Sequence, residues 1–100
     1  MILRERETPE GLLVSVCDDG LIGETFVDGD VSIEVTEAFY SGEVSTEAEV
    51  VEALDRAAVA NIVGTNAVGV AIEAGIVDEE HVLEIGEVQH AQVLNLARSR

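Results

Sequence analysis

The segment Leu12-Leu13-Val14-Ser15-Val16-Cys17 is an almost unbroken apolar run between Pro9-Glu10-Gly11 and Asp18-Asp19-Gly20. A run this short, bounded by turn residues, reads as a strand, and its lack of alternation is the pattern of a strand covered on both faces. The segment before it alternates weakly, and Thr8-Pro9-Glu10-Gly11 supplies the Pro and Gly of a turn. Residues 2–7 and 12–17 therefore read as an antiparallel hairpin. The core around it must be aliphatic, because Phe26, Phe39 and Tyr40 are the only aromatics in a chain that is 47% hydrophobic. At 100 residues the chain is one domain, 1–100. A domain of that size buries roughly 60–70% of the surface its unfolded chain exposes.

Asp18-Asp19-Gly20 ends the second strand, and the following Leu-Ile-Gly-Glu-Thr-Phe stretch fits either a helical turn or a loop. Beyond the turn at Asp28-Gly29-Asp30, Val31, Ile33 and Val35 alternate with polar residues as on a half-exposed strand. Residues 36–46 read as a loop carrying Phe39 and Tyr40. Thr46 followed by Glu49 is a capping-box signature, and Val50, Leu54, Ala57 and Ala58 continue it as a helical apolar stripe. Gly64 breaks the pattern; a second helix fits 66–74, with Gly75 as its stop. A strand is expected at 82–85, and the segment from Val88 reads as either a last strand, 88–94, or a terminal helix, with the strand favoured. The economical packing is an α+β fold: a small mixed or antiparallel sheet of about five strands, with two helices packed on one face.

Charge narrows the setting. Twenty-one acidic residues against five arginines give a net charge of −16, and there is no lysine. The apolar fraction is too high for a disordered acidic chain. A folded, acidic, lysine-free protein suits a salt-loaded cytoplasm, where ions screen the self-repulsion that opposes compaction. Halophilic archaeal origin is the expectation, with a basic partner as the alternative explanation. If the acidity answers to solvent, it no longer argues against nucleic acid, whose affinity rests on neutralised phosphates. No apolar run approaches the ~20 residues of a membrane span, and Met1–Gly11 has no signal-peptide core, so a cytoplasmic protein without membrane contact is expected.

Several segments, in order, carry a resemblance: Val-Ser-Val-Cys-Asp-Asp-Gly-Leu-Ile-Gly-Glu-Thr-Phe, Phe-Tyr-Ser-Gly-Glu, Ala-Asn-Ile-Val-Gly, Val-Ala-Ile-Glu-Ala-Gly-Ile-Val and His-Ala-Gln-Val. Together, from about Leu12 to Val93, the chain resembles a small archaeal domain-of-unknown-function family, number four-two-four. The family's usual Gly-Val-Pro-His-Ala-Gln reads here Glu87-Val88-Gln89-His90-Ala91-Gln92, so position 89 regains a backbone donor. The resemblance implies an archaeal cytosolic protein of information processing, in ribosome assembly or translation. It brings no established activity.

Residue types leave several chemistries open. Cys17, His90 and Asn61 are the types of a thiol nucleophile, its base and an orienting amide. Against that, a lone cysteine in an aliphatic run is ordinarily a small buried hydrophobe. Cys17, Asp18, His81 and His90 would be a mixed-ligand metal set only if they converged; with one cysteine and two histidines a closed Cys/His zinc site cannot form. No metal and no cofactor is expected, and Gly23, Gly64 and Gly69 form no phosphate-cradling pattern. Gly64-Thr65-Asn66 at a helix start could hold an anion or simply be capped. Alternation along 88–94 puts His90 and Gln92 on one side, as a polar pair. Tyr40 is a candidate stacking platform for bases, or a rim residue with Phe39 plugging the core. Arg4, Arg6, Arg98 and Arg100 lie at the two chain ends. If the ends are neighbours, they form one positive patch suited to RNA or a ribosomal contact. The leading expectation is thus a non-enzymatic binding protein of the translation or RNA machinery. The alternatives are a small thiol enzyme using Cys17 and His90, and an acidic module for a basic protein.

Overall fold

The computed structural model describes residues 1–94. Two strands, β1 (Ile2–Thr8) and β2 (Gly11–Cys17), form the expected hairpin, with Arg4 opposite Ser15 and Ile2 opposite Cys17. A second hairpin follows, β3 (Thr25–Asp28) and β4 (Val31–Glu34), and makes a separate two-stranded sheet. Next come a single helical turn α1 (Glu37–Tyr40), a short edge strand β5 (Glu43–Val44) and helix α2 (Glu47–Arg56). Strand β6 (Val59–Val63) leads into α3 (Thr65–Glu73). A 3₁₀ turn at Glu79–His81 precedes the closing hairpin of β7 (Leu83–Ile85) and β8 (Val88–Leu94). The main sheet runs β5-β1-β2-β6-β8-β7, antiparallel throughout except for the parallel pair β2–β6.

The fold is α+β as expected, with eight strands and three helices among the described residues where about five and two were anticipated. The largest departure is β6. Ala57 and Ala58 extend the helical stripe of α2 by spacing, yet α2 stops at Arg56 and Ala58 N–H donates to Leu12 O at 2.9 Å, the first step of a new strand. The segment Val59–Val63 then lies at the middle of the sheet, between β2 and β8. The Leu21–Phe26 stretch resolves into a turn and the start of β3, held by Gly23 N–H to Val35 O at 2.7 Å. Within 36–46, Thr36 caps the α1 turn by accepting from Phe39 N–H.

Burial on both faces of β2 is real, and each face has its own cover. Val14 and Val16 point toward α2 and α3, in a cluster with Val50, Leu54, Ile62, Val68, Ala91 and Val93. Cys17 points the other way, into a smaller cluster with Val35, Tyr40, Val63, Ile85 and Val88. The two long helices thus cover one face, as expected, while α1 and the β3–β4 hairpin cover one end of the other. The rest of that second face is less covered toward β8, where Gln92 and Leu94 are exposed, while Ser15 on β2 stays buried.

Two caps hold the helices. In α2, Thr46 Oγ1 accepts from Glu49 N–H at 3.1 Å while Glu49 Oε1 accepts from Thr46 N–H at 2.8 Å, the reciprocal box read from the sequence. In α3 the cap is distant in sequence: Asp18 accepts from Asn66 N–H at 2.9 Å and from Ala67 N–H at 2.7 Å. Asp18 N–H donates in turn to Val63 O at 3.0 Å. Gly64, at φ +115°, lets the chain pass this close, since a β-carbon there would stand 2.3 Å from Asp18 Cγ.

Candidate functional site

Register defines the open face. Strand partners point their side chains to the same side, and on that side four residues fall in one row: Arg4 on β1, Ser15 on β2, Asn61 on β6 and Gln92 on β8. The next row toward the end of β8 is Arg6, Leu13, Val59 and Leu94; the row on the other side is Ile2, Cys17, Val63, His90 and, on β7, Leu83. With neighbouring strands about 4.8 Å apart, the polar row spans about 14 Å.

No strand of the main sheet places a carboxylate on this side. Glu5 and Glu7 of β1, Glu43 of β5 and Glu84 of β7 all belong to the opposite set by register. In a chain with 21 acidic residues that is a strong segregation. The other side is correspondingly acidic. There Glu5, Glu43, Glu49 and Glu52 line a groove beside Leu3, and Arg56 bridges Glu52 at 2.8 Å and Glu5 at 3.1 Å.

The two arginines are oriented by α1. Arg4 Nη1 donates to Ser41 O at 3.0 Å, and Arg6 Nη2 donates to Ala38 O at 3.4 Å. Each keeps further N–H donors for a ligand, because a guanidinium carries five. Ser15 is 2% exposed, Asn61 is half-buried and Gln92 is exposed, so exposure along the row increases toward β8; His90, in the neighbouring row, is half-buried. His90 and Gln92 share this side, as alternation requires. Burial pulls the His90 imidazole below its ordinary value of 6.5, so near neutrality it is an uncharged ring with one donor and one acceptor.

Beside His90 the face deepens. Glu80, His81, Leu83, His90 and Gln92 line a recess of about 420 Å³ between the 3₁₀ turn and the sheet. Asp78 Oδ1 accepts from Glu80 N–H at 2.9 Å and Asp78 O from His81 N–H at 2.9 Å, which fixes the rim.

The thiol-enzyme constellation is not assembled. Cys17 and His90 both pair with Val63, from opposite sides, so two strand spacings, about 10 Å, separate them. Cys17 is fully buried, and burial, reinforced by the neighbouring Asp18 carboxylate, pushes its thiol up to about 11. A thiol held neutral in an aliphatic pocket is not a nucleophile at physiological pH. Asn61 faces Gln92 and lies on a different row from both. Among the described residues no group of three or more Cys, His, Asp or Glu is placed to hold a metal ion.

Tyr40 corrects another expectation. It is the buried member of the pair, 4% exposed, with its ring edge-on to Phe39 at 5.1 Å and 72°. Burial, and to a lesser degree Cys17, pushes its hydroxyl up to about 12. Tyr40 therefore closes the core and offers no free face for stacking on bases, while Phe39 is partly buried at the margin of the same cluster. The start of α3 is likewise occupied, by Asp18, leaving no anion site at Gly64-Thr65-Asn66.

Arg98 and Arg100 lie outside the described residues. The strand that leads toward them ends at Leu94, in the same row as Arg6. Ser15 is the residue that sequence reasoning missed. Its signal is the one hydroxyl inside an apolar run, which gains meaning only once Val59–Val63 is read as the neighbouring strand. No helix among the described residues is long and apolar enough to cross a membrane.

The family described as "Protein of unknown function (DUF424)" matches residues 5–96. Among solved structures, the chain is similar to an uncharacterized conserved protein from Methanopyrus kandleri, at 25% identity and a TM-score of 0.76, over 92% of this chain and 88% of that chain. No curated protein shows significant similarity to it.

Proposed function

Because the chain belongs to the DUF424 family of proteins of unknown function, for which kinship supplies no activity, we propose a function from the site: the open face of the sheet binds single-stranded RNA without catalysis. The observation that carries this is the absence of carboxylates from one side of all six strands, in a chain of net charge −16, together with Arg4 and Arg6 on that side. Phosphates are taken by arginines, and the amides of Asn61 and Gln92 suit the 2′-hydroxyls and base edges of an unpaired strand, with Ser15 buried beneath them. His90, uncharged, adds a flat ring at the deep end.

The setting that fits is a cytoplasm of concentrated salt, in an archaeon, with the translation machinery as the source of the RNA. There the carboxylates of the helix side serve solubility, and the bare face is left for the ligand. Multimolar salt weakens phosphate contacts, with a slope on single strands of about −0.7 per phosphate neutralised on a log–log plot. Hydrogen bonding by the amide row therefore supplies the part of the affinity that salt does not erase.

Fluorescence anisotropy with a labelled short oligouridylate, titrated with KCl, tests this. We expect binding that weakens with salt, and a shallower slope, by about one to two, in the Arg4→Ala/Arg6→Ala variant. Equal affinity and slope in wild type and variant would remove the face from the interaction, and no binding even at low salt would end the RNA reading.

A further inference from the structure

The recess beside His90 differs from the rest of the face, and we infer that it takes one unpaired purine base of the bound strand. This rests on the RNA reading above and specifies what that face selects. The recess lies three strands from Arg4, beside β7, at the end of the face away from both arginines. The Glu80 carboxylate stands at its rim, so it disfavours a phosphate and suits a neutral ring with N–H donors on its edge. Both purines present such donors: the exocyclic amine of adenine, and the ring N–H and amine of guanine.

The floor and walls agree with that occupant. Leu83 and His90 are direct partners on β7 and β8, so their side chains lie side by side and form one apolar and aromatic surface. Leu83 is 58% exposed, a large aliphatic side chain left uncovered at the recess. A base laid on that surface would cover it. Gln92, two residues along the same side of β8, brings an amide that can both donate and accept, the pairing that reads the adenine N6/N7 edge. His81 also lines the recess. About 420 Å³ accommodates a bicyclic ring, and the Asp78 hydrogen bonds hold the rim in place before the ligand arrives. The face then divides its labour, with phosphates at the Arg4–Arg6 end and one base at the Leu83–His90 end.

The test compares a labelled short oligoadenylate with an oligouridylate of equal length, using the full chain in molar KCl. Wild type should bind the purine strand about tenfold more tightly, and Leu83→Ala should bring the ratio of the two affinities close to one. Leu83 is largely exposed, so the substitution spares the core, and an unchanged melting temperature confirms that the fold is kept. Equal affinity of wild type for the two strands, or a preference that survives Leu83→Ala, overturns the base pocket and leaves RNA binding standing. If wild type binds neither strand, the RNA reading fails and the pocket falls with it.

Discussion

Asp18 is the residue on which most of the local architecture turns. It ends β2, ties itself to Val63 O, and gives one carboxylate oxygen to each of two N–H groups at the start of α3. Caps of this kind contribute about 1–2 kcal/mol. Asp18→Ala should therefore lower unfolding stability by that amount in urea denaturation, and an unchanged midpoint would refute the cap. Gly64→Ala should cost more, upward of about 2 kcal/mol, because the added carbon collides with Asp18 and the residue sits in a left-handed conformation. Cys17 adds a pH signature. Its thiol titrates at about 11 in the folded protein against an ordinary 9.0, so the unfolded chain loses its proton first as pH rises. Stability is full below pH 9 and declines by about 2–3 kcal/mol between pH 9 and 11. Tyr40 extends the decline toward pH 12. Cys17→Val should flatten the lower part of that decline in melts recorded across the range; an identical decline in the variant would contradict the assignment. His90 works in the opposite direction, its depressed value favouring the folded state above pH 6.5 and withdrawing that support in acid.

Among the elements, α2 and β6 show what the sequence can and cannot reveal. The capping box of α2 is local, three residues apart, and was legible as such. Thr46→Ala should cost about 1 kcal/mol in stability and leave oligonucleotide affinity unchanged, since α2 lies on the side of the sheet away from the proposed interface. A matching loss of RNA affinity would place the interface on the wrong face. Strand β6 was hidden for a physical reason: small alanines at 57 and 58 satisfy a helical stripe and a strand entry equally well, and Gly64 reads as a breaker either way. Only pairing with Leu13–Cys17 decides it, and that pairing is parallel and separated by some forty-five residues of chain. Missing β6 hid the polar row as well, because Asn61 gains Ser15 and Gln92 as neighbours only through it. By contrast, the alternation along 88–94 fits β8 without excluding a terminal helix, and once the segment is a strand His90 and Gln92 share a side. The aromatic pair was misjudged for a related reason. Adjacent residues in a loop carry no periodicity to say which points inward, and the α1 turn sends Tyr40 to the core.

For the whole molecule, the governing fact is how the charge is distributed. Acidic residues crowd the helix side and the turns, while the strands keep them off the opposite face. A net charge of −16 on a domain this small is self-repelling. Raising KCl from dilute buffer to molar concentrations should therefore stabilise the fold by about 1 kcal/mol or more, seen as a rise of about 4–8 °C in Tm. A salt-independent Tm would mean that the repulsion is already relieved by the arrangement of the charges. The same distribution makes the central claim directly observable, since an RNA strand and a basic protein would choose opposite sides of one sheet. Amide NMR of the labelled protein during titration with a short oligoribonucleotide is the decisive measurement. Perturbations should concentrate at Arg4, Arg6, Ser15, Asn61, His90 and Gln92, with the amides of Glu47–Arg56 unmoved. Shifts centred on that helix and its acidic groove, or none at all, would contradict it.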